Sequence, residues 1–294
     1  MTEINEVKEI MFEDTTGEKD LIKDEVEEKQ DITIKDRVGG NILDPSPGFL
    51  AIELPCGYIH DGELNTLALV REMEGAEEDI IVGKGPAVQR LNAVIANCLV
   101  SLGPIKDRNI LRMVPDKLTS PDRMVLIIAL RRVTVGDFWD LIITCPKEGC
   151  NCKMHKTIDL RDVAIRPMKD RMARDNEFIL PKSGKLVKWR VQGAEDEQWL
   201  ADASKKKEDL LTLQMMSRVY EFDGVALDRK IKFKEAKKIL KTMKWNDRSA
   251  LRYEFERVEA DVDTKAEYIC DECGYEWETG LDFSQESFFF PSAH

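Results

Sequence analysis

The chain has 294 residues and a formal net charge of −12, and its residues are 43% hydrophobic and 34% charged. No run of about 18 apolar residues exists, which excludes a membrane-spanning helix, and the acidic first twenty residues lack the apolar core of a secretory signal. The negative charge argues against a general nucleic-acid binder, because attraction to phosphates needs a positive face. The length predicts about two domains. The missing signal predicts a reducing compartment, where clustered cysteines more often bind a metal than form disulfides.

The first part of the chain, residues 1–38, is rich in Glu, Lys and Asp and has no sustained apolar period. This composition predicts a disordered acidic tail. Residues 49–54 then predict a strand that ends in a turn at 55–57, and residues 64–73 predict a second strand. Small and acidic residues from Gly75 onward predict the start of a helix.

Two helices and a hairpin are predicted to complete the first half. An apolar period over residues 86–102 predicts one helix. Thr119 is a hydroxyl cap in front of a second helix whose body is apolar all round, so that helix should be buried. Residues 138–144 and 153–160 predict the two strands of a hairpin whose connection carries cysteines.

The second half of the chain repeats short motifs of the first half in the same order. Gly-Ala-Glu, Asp-Arg, Arg-Val and a cysteine lie first at 75–77, 122–123, 132–133 and 145, and then at 193–195, 247–248, 257–258 and 270. The last three pairs share one offset. This order predicts a tandem duplication in an α+β fold, with an N-terminal module over 39–167 and a C-terminal module over 168–294. Each module should combine helices with short strands and end in a cysteine-bearing β-hairpin resembling a zinc-ribbon knuckle.

Each predicted module carries two closely spaced cysteines, Cys145 and Cys150 in the first and Cys270 and Cys273 in the second. A structural zinc takes four thiolate or imidazole ligands in a tetrahedron, commonly from two short knuckles. One knuckle supplies only two of the four ligands, whereas two knuckles together supply all four. We therefore predict one structural Zn²⁺ that is bound by all four cysteines and clamps the two modules together.

Some alternatives at this site stay open. Cys152 competes with Cys150 as a ligand, although the alignment of the two knuckles favours Cys150. His155 is a weaker candidate, because a histidine on a hairpin face is more often solvated. The four cysteines could also be reduced thiols that bind no metal.

Motifs of catalysis are missing from the sequence. It contains no His-Glu-x-x-His pair, phosphate-binding Gly-Lys-Ser/Thr loop, dinucleotide fingerprint or nucleophile elbow, and a zinc with four thiolates has no open position for chemistry. We therefore expect that the protein is not an enzyme.

Two further segments have structural predictions. The lysine-rich residues 230–244 predict an amphipathic helix with a solvated basic face. The three phenylalanines at 288–290 should either pack on the core or contact a partner.

Several motifs, taken in order, resemble a known family. They are Ile52–Gly57, Val70-Arg71, Gly75–Glu78, Asp122-Arg123 with the run to Arg131, and Cys145-Pro146 with Cys150. In this order they resemble the T4-type baseplate hub family of contractile-tailed bacteriophages, over roughly residues 48–165 and more weakly to 290. The resemblance implies a non-enzymatic baseplate component that binds other tail proteins, in the virion and, during assembly, in the host cytoplasm.

Two other functions remain as alternatives to a structural baseplate component. One is a zinc-ribbon nucleic-acid-binding protein, which the acidic charge opposes. The other is a tail assembly chaperone that is absent from the mature particle. The sequence does not separate the chaperone from the baseplate component.

Overall fold

The computed structural model describes residues 32–33, 47–206, 209–283 and 286–290. The acidic tail predicted over residues 1–38 lies outside these ranges, except for a two-residue strand at Ile32–Thr33. Across the described ranges, no helix combines the length and the apolar character that crossing a membrane requires.

Runs of helices and runs of strands follow one another along the chain. The α-helices of the described ranges are α1 (Gly75–Val82), α2 (Ala87–Cys98), α3 (Arg108–Met113), α4 (Ser120–Thr134), α5 (Ala194–Ala203), α6 (Leu210–Met216), α7 (Phe233–Lys241), α8 (Trp245–Val258) and α9 (Glu286–Phe289). The strands are β1 (Ile32–Thr33), β2 (Phe49–His60), β3 (Glu63–Arg71), β4 (Leu99–Leu102), β5 (Phe138–Thr144), β6 (Lys153–Asp159), β7 (Ala164–Arg166), β8 (Asp175–Ile179), β9 (Leu186–Arg190), β10 (Val219–Phe222), β11 (Val225–Ala226), β12 (Asp261–Val262), β13 (Lys265–Ile269) and β14 (Glu276–Gly280).

Within the described ranges, the strands pair antiparallel in several small sheets. Their orders are β2-β3-β4, β11-β10-β9-β8 and β1-β7-β12, with β5-β6 and β13-β14 as separate hairpins. Helices pack beside small antiparallel sheets rather than alternating with parallel strands. The predicted α+β class is therefore confirmed.

The first core lies between the β2-β3-β4 sheet and helix α4. Ile52 and Leu54 on β2 and Val70 on β3 are fully buried, and they belong to one cluster with the apolar body of α4. Residues 125–130 of α4 are all buried, as their all-round apolar sequence predicted, and the buried Asp122, Arg123 and Arg131 flank them. The Thr119 hydroxyl caps this helix and accepts a hydrogen bond from the backbone N–H of Asp122.

Two local predictions in this half were wrong. Residues 55–57 do not end the first strand in a turn; β2 runs on to His60 through a bulge, because its register against β3 shifts between Glu53 and Tyr58. The helix predicted over 86–102 ends at Cys98, and residues 99–102 form β4 against β3. An apolar run is compatible with a helix or with a strand, and the pairing of residues 99–102 with β3 determines that they form a strand.

The bulge in β2 depends on Gly57, whose φ is +75°. A Cβ there would lie 2.9 Å from both Asn65 O and Thr66 Cγ2. Gly57→Ala should therefore lower the free energy of unfolding by more than the about 1–3 kcal/mol of backbone strain alone, as measured by urea denaturation. Gly62→Ala is the control, since Gly62 also has a positive φ of +81° but a Cβ added there would have no neighbouring atom within 4 Å. Equal losses in the two variants would contradict the steric argument.

A second core is built from residues between Leu180 and Phe255. Trp189 on β9 is fully buried and its ring meets that of Phe255 on α8 edge to face, with centroids 4.7 Å apart. Ala236 and Leu240 of helix α7 are buried in this core, whereas most of the lysines of α7 face solvent. The amphipathic helix predicted within residues 230–244 is thus confirmed, over a shorter span. The module boundary predicted between residues 167 and 168 stays a prediction.

The C-terminal phenylalanines return to the first core. Phe288 is fully buried, and its ring stands edge to face with Trp139 on β5, with centroids 4.9 Å apart. The Nε of Arg131 on α4 donates a hydrogen bond of 2.8 Å to the Phe288 carbonyl. Of the two roles that the sequence left open for residues 288–290, the structure shows packing on the core.

A short sheet joins residues from distant parts of the chain. Strand β7 lies in its centre, with β1 on one side and β12 on the other. Arg166, the last residue of β7, donates hydrogen bonds to the carbonyls of Glu256 (2.6 Å) and Glu259 (3.1 Å) at the end of α8. Because β7 follows the β5-β6 hairpin and β12 precedes the β13-β14 hairpin, this sheet joins the bases of the two hairpins by backbone pairing.

Equivalent contacts occur at the start of α1 and of α5. Arg71 forms an ion pair of 3.1 Å with Glu77, and Arg190 forms one of 3.0 Å with Asp196. The same two carboxylates each accept a backbone hydrogen bond of 2.9 Å at the helix start, from Glu74 N in α1 and from Gly193 N in α5. An arginine six residues before the acid and a capping N–H three residues before it thus recur in both halves. These contacts match Glu77 with Asp196, one residue beyond the Glu195 that the Gly-Ala-Glu motif matches with it.

The two Asp-Arg motifs also place their aspartates in similar roles. Asp122 is fully buried and accepts hydrogen bonds from the backbone N–H of Cys56 (2.7 Å) and of Gly57 (3.1 Å), and from the Thr119 hydroxyl (2.8 Å). Asp247, at the start of α8, accepts one from the backbone N–H of Lys182 at 2.7 Å. Each aspartate therefore fixes a backbone turn or bulge in its own half.

Asp122→Ala should be the more destabilising of the two aspartate replacements. It leaves two buried backbone N–H groups without an acceptor, and each such group costs about 1–3 kcal/mol, so we expect a loss of about 3 kcal/mol. Asp247→Ala removes the acceptor of backbone N–H groups at Lys182 and Ser183, but these residues are exposed and water can replace the carboxylate, so this variant should cost less. Thermal and urea unfolding of both variants measure this order, and a larger loss for Asp247→Ala would contradict it.

Candidate metal centre

The four predicted cysteines lie at the tips of the two separate hairpins. In the first, β5 and β6 continue to a closing hydrogen bond of 2.9 Å from Cys145 N to Cys152 O. In the second, the matching bond of 2.9 Å runs from Cys270 N to Tyr275 O. The first cysteine of each pair is therefore the last ladder position before the turn.

A residue in the left-handed conformation follows the second cysteine of each pair. It is Asn151 after Cys150, with φ +51°, and Gly274 after Cys273, with φ +64°. Glycine adopts this conformation without steric cost, and asparagine is one of the few other residues that tolerate it. Both residue types are therefore signals for such a turn in the sequence.

The hairpin tips bring all four predicted sulfurs together. The Sγ atoms of Cys145, Cys150, Cys270 and Cys273 lie within 4.8 Å of one another. Two contacts cross between the hairpins, 3.8 Å from Cys145 to Cys273 and 3.7 Å from Cys150 to Cys270. These separations are far above the length of a disulfide, about 2.05 Å.

The spacing of the sulfurs fits one tetrahedral zinc. A Zn–S bond of about 2.3 Å puts the ligands of a tetrahedral site about 3.8 Å apart, and both of the measured contacts between the hairpins match that edge. Soft thiolate ligands in a set of four also favour zinc over the hard cations Mg²⁺ and Ca²⁺. The residues present therefore fit a structural zinc, bound equally by both hairpins.

The surroundings of the sulfurs shield one side of the cluster. Cys145 and Cys270 are buried, and Met154 and Trp277 pack against them. Asp271 bridges the two hairpins: its backbone N–H lies 3.3 Å from Met154 Sδ, and its carboxylate forms an ion pair of 3.1 Å with Lys156. The hairpins are thus in contact beside the sulfurs as well as through them.

The pKa values of the thiols differ within the cluster. Hydrogen bonding from the backbone N–H of Cys273 lowers the pKa of Cys270 to about 6, which favours its thiolate form. Burial raises the pKa of Cys145. The backbone N–H of Cys152 favours a Cys150 thiolate, but the adjacent thiols and burial outweigh it and raise the pKa of Cys150 to about 12. Four thiolates this close repel one another, so a cation between them is needed to hold all four deprotonated.

Comparison with protein-family models matches residues 66–290 to the family described as T4 bacteriophage base plate protein. The chain belongs to this family. The matched range includes both hairpins with all four clustered cysteines, and it ends with the phenylalanines that pack on the first core. No curated protein and no solved structure matches the chain.

The remaining cysteines of this baseplate protein lie outside the cluster. The Cys152 thiol contacts the carbonyl of Lys153 at 3.8 Å and packs beside Cys270, but it is not one of the four mutually close sulfurs. His155 lies on β6 opposite Ile142 and is also outside the cluster. Cys56 and Cys98 are fully buried elsewhere, and burial raises the pKa of each to about 12. These two behave as small apolar residues.

Proposed function

We propose that this chain is a structural component of the baseplate hub of a contractile phage tail, and that it acts through contacts with other tail proteins. The observation that carries the proposal is the match to the baseplate family over residues 66–290. The motif order in residues 48–165 supports the more specific hub role. In this role the protein is not an enzyme.

We propose that the chain arose by tandem duplication into modules at 39–167 and 168–294. The paired contacts of Arg71 with Glu77 and of Arg190 with Asp196 support this, because they place the same interaction at the same helix start. The two cysteine hairpins support it further, since their ladders close at equivalent positions and each has a left-handed residue after the second cysteine.

A single Zn²⁺ bound by Cys145, Cys150, Cys270 and Cys273 would clamp these modules. Such a site is closed, since four thiolates complete the coordination of zinc and leave no position for a substrate or water. Its contribution is folding free energy rather than chemistry. Two small modules gain from such a clamp because each hairpin has only two strands and a two-stranded hairpin is marginally stable in water.

Mass spectrometry of purified virions tests the proposed location. We expect the chain in the mature particle, in a fixed ratio to other baseplate proteins, as well as in the host cytoplasm during assembly. If the chain is found in infected cells but not in purified virions, the structural role is wrong and the tail assembly chaperone becomes the better explanation.

A further inference from the structure

A slot with a volume of about 610 Å³ separates the two cysteine hairpins along strands β6 and β13. It is closed at the hairpin tips by the ion pair of Lys156 with Asp271, 3.1 Å. At the base it is closed by a hydrogen bond of 2.9 Å from Asp263 N to Ala164 O. Between these closures, consecutive residues of both strands line the slot. Since side chains alternate along a strand, this lining shows that the strand edges themselves face the slot.

The phase of each hairpin ladder identifies the backbone groups at these edges. In an antiparallel pair, positions that bond to the neighbouring strand alternate with positions whose N–H and C=O point outward. The bond from Cys145 N to Cys152 O makes Thr157 an outward position on β6. In the second hairpin, the bond from Cys270 N to Tyr275 O makes Glu267 and Ile269 outward positions on β13. Among the described residues, neither β6 nor β13 pairs with a strand across the slot.

The slot carries a negative charge. Its charged lining residues are Asp159, Asp162, Asp263, Glu267 and Asp271 against Lys156 and Lys265. Lys156 pairs with Asp271 and Lys265 pairs with Glu278, each at 3.1 Å, and Asp159 pairs with Arg161 at 2.6 Å. The acidic residues still outnumber the basic ones. A positively charged segment would therefore be attracted, and an acidic one repelled.

We propose that this slot binds an extended segment of a partner protein that carries lysine or arginine, and that the segment adds as a strand to the edges of β6 and β13. Exposed strand edges bind extended peptides in this way, with affinity from backbone hydrogen bonds and selectivity from side chains. The inference rests on the proposed function, in which the partners are other tail proteins. Residues 1–30 of the chain itself are a poor occupant, because Asp and Glu outnumber Lys there.

The test uses the full zinc-loaded chain and two fluorescein-labelled eight-residue peptides, one alternating lysine with valine and the other alternating glutamate with valine. Fluorescence anisotropy should show binding of the lysine peptide and not of the glutamate peptide. Hydrogen exchange should show that the lysine peptide protects the amides of Thr157, Glu267 and Ile269. If those amides are already protected without peptide, a segment of the chain fills the slot and the proposal is wrong.

Two matched proline variants separate edge pairing from charge attraction. Glu267→Pro removes an N–H that faces the slot, and we expect it to weaken binding of the lysine peptide roughly tenfold, about 1.4 kcal/mol. Glu278→Pro is the control: it is the cross-strand neighbour of Glu267 on β14, and its N–H faces away from the slot. Like Glu267→Pro it removes one negative charge, that of the partner of Lys265, but it removes no N–H that faces the slot, so it should weaken binding by much less. Equal weakening by the two variants would contradict strand addition.

A third variant keeps the test valid if a proline variant does not fold. Glu267→Lys reverses one charge in the slot without affecting the ladder, so it should weaken the lysine peptide and strengthen the glutamate peptide. Zinc content and thermal unfolding confirm folding of each variant. Absence of peptide binding in a chain that is present in virions would overturn the slot proposal alone, whereas absence from virions would overturn the structural role without affecting the peptide result.

Discussion

Cys145→Ser and Cys273→Ser should each abolish zinc binding and lower the unfolding temperature to a similar extent, although the two residues belong to different hairpins. Their sulfurs are 3.8 Å apart, so either change removes one of four ligands from the same proposed site. The binding free energy of structural zinc in finger peptides is about 10–16 kcal/mol. Loss of the metal should therefore cost more than truncation of a single core side chain, about 2–5 kcal/mol.

Metal content and thermal unfolding, with and without a chelator, measure this effect. Chelator should lower the unfolding temperature of the wild-type protein toward that of the two variants and should leave the variants unchanged. Cys152→Ser is the matched control, because its thiol lies in the same hairpin and packs beside the four sulfurs without being one of them. If Cys152→Ser loses zinc while Cys150→Ser retains it, the ligand set is wrong.

Phe288→Ala should be strongly destabilising, although the residue lies outside the metal site. The side chain is fully buried and contacts the rings of Trp139, Phe283 and Phe289 at centroid distances of 4.9, 5.2 and 5.1 Å. Its removal leaves a cavity in the first core, for which we expect a loss of about 3–5 kcal/mol. Urea unfolding followed by tryptophan fluorescence suits this test, because Trp139 lies at the site.

Phe138→Ala provides the control for Phe288→Ala. Phe138 has the same side chain but is 56% exposed, and its ring contacts the guanidinium of Arg161, with Cζ 5.4 Å from the centroid. We expect a loss of less than about 1 kcal/mol, the size of an exposed cation–π contact. A small loss for Phe288→Ala, comparable to that of Phe138→Ala, would show that the C-terminal segment does not complete the core.

The sequence predicted the elements whose signals are local. The Thr119 cap correctly predicted the start of α4. The patterns of residues 138–144 and 153–160 correctly predicted both strands of the first hairpin. The four clustered cysteines were also predictable, because short spacing and repetition together imply a shared location. These signals need no knowledge of which distant residues pack together.

Elements that depend on distant pairing were missed. The bulge at 55–57 looks like a turn in the sequence, and only the register against β3 shows that β2 continues. Residues 99–102 are as apolar as the helix before them, so their pairing with β3 could not be predicted from periodicity. The packing of Phe288 on Trp139 joins residues that are far apart in the chain, which is why the sequence left two roles for that segment.

The number of zinc ions per chain tests the central claim most directly. Native mass spectrometry of protein prepared under reducing, chelator-free conditions should show one zinc per chain, and X-ray absorption should show four sulfur ligands at about 2.3 Å. That result would establish a single site shared by both hairpins. A metal-free chain, or one zinc shared between two chains, would contradict the account.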